Sequence, residues 1–142
     1  MWAIYPATAP GYDPGYKPYD YDPTAAQAKL KESGLAAGTE LELLVSSEDS
    51  LATTVAQAIQ QDLEQVGLKI NIKQASDTAV YDLIVAGEAQ MYLNSWYMIQ
   101  PDPADLINNL FMTDAGSNQD FYSNPKVDEL AMQALAEQNR EK

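Results

Sequence analysis

The stretch QMYLNSWYMIQPDP, residues Gln90–Pro103, governs how the rest of the chain is read. It opens as a strand, because strand side chains alternate: Met91, Leu93 and Ser95 take one face, and Tyr92, Asn94 and Trp96 the other. The alternation stops over Tyr97–Gln100. A helix then starts at Asp102-Pro103, where a side-chain acceptor precedes a residue whose φ is already helical and which has no N–H to leave unpaired. A Trp and a Tyr thus stand where a strand gives way to a helix. Two roles are open to Trp96: a plug in the core, since Trp is highly buried on average, or part of a recognition surface.

Upstream, the same period of two recurs twice. TELELLV yields a first strand, Glu40–Val45, with Leu41, Leu43 and Val45 on one face. LKINIKQ yields a second, Leu68–Gln74, with Leu68, Ile70 and Ile72 inward and Lys69, Asn71 and Lys73 outward. Between them Asp49 or Ser50 caps a helix whose apolar stripe is Leu51, Val55, Ile59, Leu63 and Val66, and Gly67 ends it. A short helix from about Thr78 to Ala86 carries Val80, Tyr81, Leu83 and Ile84 and stops at Gly87. Before the first strand, Asp22-Pro23 starts a helix, TAAQAKLKES, that stops at Gly34. Downstream, the helix from Asp102-Pro103 runs to about Phe111, and the polar loop Thr113–Ser123 follows. Asn124-Pro125 then starts a last helix with Val127, Leu130, Ala131, Ala134 and Leu135 as its expected buried stripe.

Residues 1–22 differ from everything after them. Tyr5, Tyr12, Tyr16, Tyr19 and Tyr21 alternate with Pro6, Pro10, Pro14 and Pro18, a density of proline that excludes a helix or an interior strand. Disordered segments are poor in aromatics, so the expectation is an extended arm ordered against the domain, with the tyrosines supplying buried area. The domain division expected is therefore 1–22 for the arm and 23–142 for the α/β body.

The element order is α-β-α-β-α-β-α-α. A helix between each pair of strands predicts right-handed crossovers and three parallel strands, with helices on both faces: a three-layer α/β domain. The first strand, almost wholly apolar or β-prone, belongs in the centre, and the lysines of the second place it toward an edge. Ligands of open α/β sheets sit beyond the carboxyl ends of the strands. Those ends carry Ser46-Ser47, Gln74–Ser76 and Trp96-Tyr97.

Composition narrows the chemistry. With 142 residues, 46% apolar and 20% charged, the chain suits one soluble globular domain. No apolar run approaches the ~20 residues of a membrane span, and no signal peptide opens the sequence, so any export signal is expected to lie elsewhere. The net charge of −13 disfavours nucleic acid and anionic lipid as partners. There is no Cys and no His, which removes disulfides, thiolate nucleophiles, the commonest general base and the commonest transition-metal ligand. Ser46 and Ser47 have no His to activate them as nucleophiles. Asp102 and Asp105 are better explained as a helix cap and a first-turn acid than as a catalytic carboxylate pair. The loop Asp114–Asp120 lacks the bidentate Glu and the correctly placed Gly of a calcium loop. No phosphate-binding glycine motif is present. An enzyme is not expected, nor is a cofactor or a metal.

Six pieces carry a resemblance: YDPTAAQAKLKESG, TELELLV, AQAIQQDLEQVGLKINIKQ, YDLIVAGEAQMYLNSW, PDP and FYSNPKVDEL. In this order and spacing they resemble the carboxy-terminal lobe of extracellular solute-binding proteins of the oligopeptide/dipeptide/nickel class, the receptors of ABC importers. The resemblance covers roughly Tyr12 to Asn139. It implies one lobe of a periplasmic-binding-protein-like, type II fold, located outside the cytoplasm. Its partners would be a peptide-like or other small solute, a second lobe of the same receptor, and the importer's membrane subunits. The strand ends give Trp96, Tyr97, Ser46 and Ser47 as expected solute contacts, and the resemblance adds the position of Ile99. Peptide-binding members commonly place an Asp three residues after the strand-end Trp, to meet the ligand's amino terminus. Here that position is Ile99, which cannot pair with an ammonium. The alternative from a different class is a free-standing protein-interaction module that reuses the same fold.

Overall fold

The structure is a computed structural model and describes residues 7–9, 12–17, 19–97 and 102–137. The chain divides into two compact units, Tyr21–Ser95 and the pair of segments Met1–Asp20 and Trp96–Lys142.

Tyr21–Ser95 holds a three-stranded parallel sheet in the order β2-β1-β3, with β1 (Glu40–Ser46) central as its composition predicts. β2 (Lys69–Ala75) pairs along the whole of β1, from Glu40 opposite Lys69 to Ser46 opposite Ala75. β3 is far shorter than the expected Gln90–Trp96. Only Met91–Tyr92 pair, with Leu43 and Leu44, and one further bond runs from the Leu93 N–H to the Leu44 carbonyl at 3.1 Å. The edge is extended by a side chain: Gln90 Oε1 accepts the Glu42 N–H at 2.8 Å, occupying a β1 donor that a longer β3 would have paired.

β1 is buried on both faces because helices cover both. α2 (Ser50–Gln65) lies on one, packing Ala56, Ile59 and Leu63 against Leu43, Val45 and Ile70. α3 (Asp77–Val85) lies on the other, packing Val80 and Ile84 against Leu44. Strand alternation divides the sheet residues between the two: Leu41, Ile72, Met91 and Leu93 join the α2 side, Tyr92 and Ala75 the α3 side. One expectation fails on α2. Leu51 and Val55 are exposed, and the residue at the centre of the contact is the fully buried Ala56. A methyl at that position lets helix and sheet approach closely, and the approach falls to one side of the larger apolar residues. Tyr81 on α3 is likewise exposed.

α1 (Pro23–Glu32) buries none of its residues. Polar contacts tie α1 and the residue ahead of its cap to α2: Gln27 Nε2 donates to the Gln65 carbonyl at 3.2 Å, and the Tyr21 hydroxyl donates to Asp62 Oδ1 at 3.0 Å. The bond to Asp62, with the negative charge beside it, pushes the Tyr21 phenol above its usual range. Gly67, at φ 102°, ends the α2 turn in a backbone region that a side chain would strain.

In the other unit, α4 (Pro103–Leu110) and α5 (Pro125–Ala136) are joined by a loop with fixed internal bonds. Asn118 donates to the Met112 and Tyr122 carbonyls, at 3.0 and 2.6 Å, and accepts the Tyr122 N–H at 3.0 Å. Asp128 on α5 accepts both the backbone N–H and the hydroxyl of Thr113, at 2.8 and 2.6 Å. These two donors hold its carboxyl below the usual carboxylate range. Phe111 and Tyr122 meet edge to face, 6.2 Å between centroids. On α5 only Ala131 is buried; Leu130 and Leu135, expected in the stripe, are exposed.

Among the described residues of 1–20 there is no helix or strand. Two turns occur: the Tyr12 N–H bonds the Ala9 carbonyl, the Tyr16 N–H bonds the Asp13 carbonyl, and Asp13 Oδ1 also accepts the Gly15 N–H. Tyr16 and Tyr19 are exposed, so these two do not supply the buried area expected of them. Tyr5 lies outside the described residues.

Candidate functional site

Two places carry the residues singled out from the sequence, one in each unit. In Tyr21–Ser95 it is the carboxyl end of the sheet. β1 ends at Ser46 and β2 at Ala75, and the cap of the next helix follows three residues after the first and directly after the second. Asp49 caps α2 by accepting the Ala52 N–H at 2.9 Å, and Ser76 caps α3 by accepting the Ala79 N–H at 3.4 Å.

Ser46 is buried, and its hydroxyl is committed. It donates to the Asp77 carboxylate and accepts the Glu48 N–H at 3.0 Å. Asp77 in turn donates its own N–H to Glu48 Oε1 at 3.2 Å, and the Ser47 N–H reaches the Ala75 carbonyl at 2.8 Å. Gln74 Nε2 donates to Thr53 Oγ1 at 3.0 Å and ties the end of β2 to α2. The rim is therefore cross-linked by its own side chains. Ser46 is a member of that clasp, whereas Ser47 is exposed. Glu48, Asp49 and Asp77 make the rim acidic, so it presents acceptors and repels anions.

In the second unit Trp96 and Tyr97 follow one another in irregular backbone, 41% and 85% exposed. Of the two roles open to Trp96, a core plug does not match that exposure. Ile99 lies outside the described residues. Asp102 caps α4 through the Ala104 N–H at 2.9 Å, as its place before Pro103 predicts.

Asp105 does more than favour the helix dipole. Its Oδ1 accepts Asn109 Nδ2 at 3.1 Å, while its Oδ2 and the Asn108 Oδ1 are buried with no hydrogen-bond partner. Unpaired buried acceptors are uncommon and costly. The spacing of Asp105, Asn108 and Asn109, at i, i+3 and i+4 on a helix, was the available signal for this cluster. No group of three or more His, Cys, Asp or Glu among the described residues could hold a metal ion. Nor, among those residues, is any helix long and apolar enough to cross a membrane.

Comparison with known proteins supplies the family. The profile described as "Bacterial extracellular solute-binding proteins, family 5 Middle" matches residues 1–118. A protein named Di/tripeptide-binding protein 2, from Pseudomonas aeruginosa (strain UCBPP-PA14), is 35% identical over 136 residues, covering 92% of this chain and 26% of the relative. Glutathione-binding protein GsiB of Escherichia coli (strain K12) is 34% identical over 134 residues, covering 87% of this chain and 26% of the relative. Among solved structures, the periplasmic binding protein DppA from Helicobacter pylori in complex with peptide STSA superposes with a TM-score of 0.85 at 25% identity. That match covers 96% of this chain and 27% of the other. The chain thus spans about a quarter of the length of these relatives.

Proposed function

Because this chain belongs to the bacterial extracellular solute-binding proteins of family 5, we propose that it forms one lobe of an ABC importer's receptor. The receptor would work outside the cytoplasm, and its second lobe would lie in the remaining length that such relatives have. It binds and delivers; it catalyses nothing. The solute is peptide-like, which the names of the di/tripeptide- and glutathione-binding relatives support.

The observation that carries this reading is the exposed pair Trp96 and Tyr97. Adjacent aromatics left in water are an unfavourable use of apolar surface unless something covers them, and flat rings suit the planes of amides. Ile99, three residues after Trp96 in the sequence, is apolar and carries no charge. The solute's amino terminus is therefore not held by a carboxylate at that position, in contrast to the common family arrangement. Ser47, and Ser46 through the clasp it makes, shape the polar rim at the sheet end.

Enclosure by a second lobe supplies most of the ligand's buried surface in such a receptor, while the cost of immobilising the ligand is the same with one wall or two. The 142-residue chain alone therefore binds weakly. Calorimetric titration of the longer receptor and of the isolated chain with a tripeptide tests this. We expect measurable binding by the receptor only, weakened about tenfold or more by Trp96→Ala, the scale of losing one buried aromatic contact. Equal, tight binding by the isolated chain, or an unchanged affinity in the Trp96→Ala receptor, would overturn the assignment.

A further inference from the structure

Phe121 adopts a backbone conformation that its side chain makes costly. Its φ is 52°, in the left-handed region, where a Cβ crowds the following carbonyl oxygen. Every other positive φ among the described residues belongs to a glycine, which enters that region without the penalty. A bulky residue is an outlier there, and such strain persists only where the surroundings impose it.

The loop does impose it. The Asn118 amide pairs both backbone groups of Tyr122, donating from Nδ2 to the carbonyl at 2.6 Å and accepting the N–H on Oδ1 at 3.0 Å. The same Nδ2 reaches the Met112 carbonyl at 3.0 Å, and the Tyr122 ring meets Phe111 edge to face. One residue further on, the Ser123 and Thr113 hydroxyls are hydrogen-bonded at 3.2 Å. Closure of this turn explains the φ of residue 121. It does not explain the phenyl ring, since glycine would close the same turn unstrained. Packing does not explain it either, because Phe121 is 67% exposed. A fixed and strained mount thus carries a ring that contributes little to the core.

We propose that Phe121 is a further solute contact of the receptor, where its ring meets an apolar side chain of the bound peptide. The inference rests on the reading of the chain as part of a peptide receptor. Phe121 belongs to the same compact unit as Trp96 and Tyr97. Around it in the loop, residues 116–120 and Ser123 are small or polar. That is too little apolar surface for a protein interface, which buries about 800 Å² per partner around a hydrophobic centre. An aromatic ring among polar groups is instead the usual lining of a small-molecule site. A ring held in place before the solute arrives also lowers the entropic cost of binding it. A second copy of the chain is disfavoured, because each copy brings a net charge of −13.

The test uses the longer receptor, with trileucine and trialanine as probes. Calorimetry should show Phe121→Ala weakening trileucine binding about fivefold or more, with trialanine affinity held within about twofold. Phe121→Gly removes the ring and the strain together, so its urea midpoint should equal or exceed that of the wild type. A lower midpoint would mark the ring as structural and overturn the inference. An unchanged trileucine affinity, or equal losses for the two peptides, would overturn it as well. So would a loss of uptake through the importer at unchanged affinity, which would assign the ring to the membrane subunits. Each of these results leaves the proposed function standing where Trp96→Ala still weakens binding. A receptor that binds neither peptide overturns the proposed function and this inference together.

Discussion

α2 and α5 have similar sequence patterns and different fates. Each has aliphatic side chains at helical spacing, an acceptor at its N-cap and a small residue at the centre of its buried contact, Ala56 in one and Ala131 in the other. α2 lies on a sheet. Leu43, Val45 and Ile70 offer it a continuous apolar floor, and its Ile59 and Leu63 pack against that floor. α5 has as its helical neighbour the eight-residue α4, whose one buried residue is Leu106. The sheet face covers the later part of the α2 stripe, at Ile59 and Leu63, and leaves Leu51 and Val55 exposed, whereas the short helix covers only the middle of the α5 stripe. The amphipathic pattern fixes which side of a helix is apolar, and the width of the neighbour fixes how much of that side leaves the solvent.

If this contrast is right, truncations in the two regions should differ sharply. Leu44→Ala, in the central strand and against α3, should cost about 2–5 kcal/mol in urea unfolding of the 142-residue chain. Leu135→Ala in the same chain should change stability by no more than about 0.5 kcal/mol, as an exposed substitution does. Comparable losses for both would erase the distinction between a sheet-backed core and an uncovered helix.

A smaller effect compares the helix starts. Asp49→Ala and Asp102→Ala each remove a side-chain acceptor at 2.9 Å from a backbone N–H, so each should cost about 1 kcal/mol. A cost at Asp49 alone would mean that the α4 start contributes nothing to folding, and would sharpen the contrast between the units. Chemical denaturation of the two variants reads it.

The smallest effect is a titration. Thr113 lowers the Asp128 pKa through two donated hydrogen bonds. A carboxyl depressed in the folded state adds stability above its unfolded pKa and loses that contribution as the pH falls through the folded one. Carbon-detected NMR of the Asp128 carboxyl should show its midpoint move up in Thr113→Val. No movement at Asp128 would show that the loop bonds are not formed in solution.

Much of the architecture was legible because local signals agreed. The acceptors at Asp22, Asp49, Asp102 and Asn124 cap the helices they were expected to cap, and the alternation in TELELLV and LKINIKQ assigns faces correctly. The central place of β1 followed from its apolar run. The length of β3 did not follow, since QMYLNSW alternates well beyond the two residues that find a partner. Pairing needs a neighbour as well as a pattern. The candidate site was less readable for the same reason. Ser46 was placed at a strand end where a ligand would sit, and the carboxylate that engages it comes from Asp77, 31 residues away. The exposed Trp96 and Tyr97 could be suspected from residue type and position, whereas the unpaired Asp105 and Asn108 oxygens depend on what covers α4.

The central position of β1 also bears on how the molecule assembles. Each of its partners is remote in sequence: the Glu40–Lys69 pair closes across 29 residues and the Glu42–Gln90 bond across 48. Closing loops of this size before their contacts exist slows folding relative to helical proteins of equal length. The β1–β2 pair, with α2 folded across it, has the shorter loop and the longer ladder and so forms the natural nucleus. β3, with two paired residues, docks last and opens first. Within Tyr21–Ser95 the end of β3 is thus held by the shortest ladder of the sheet, and its amides should exchange faster than those of β1.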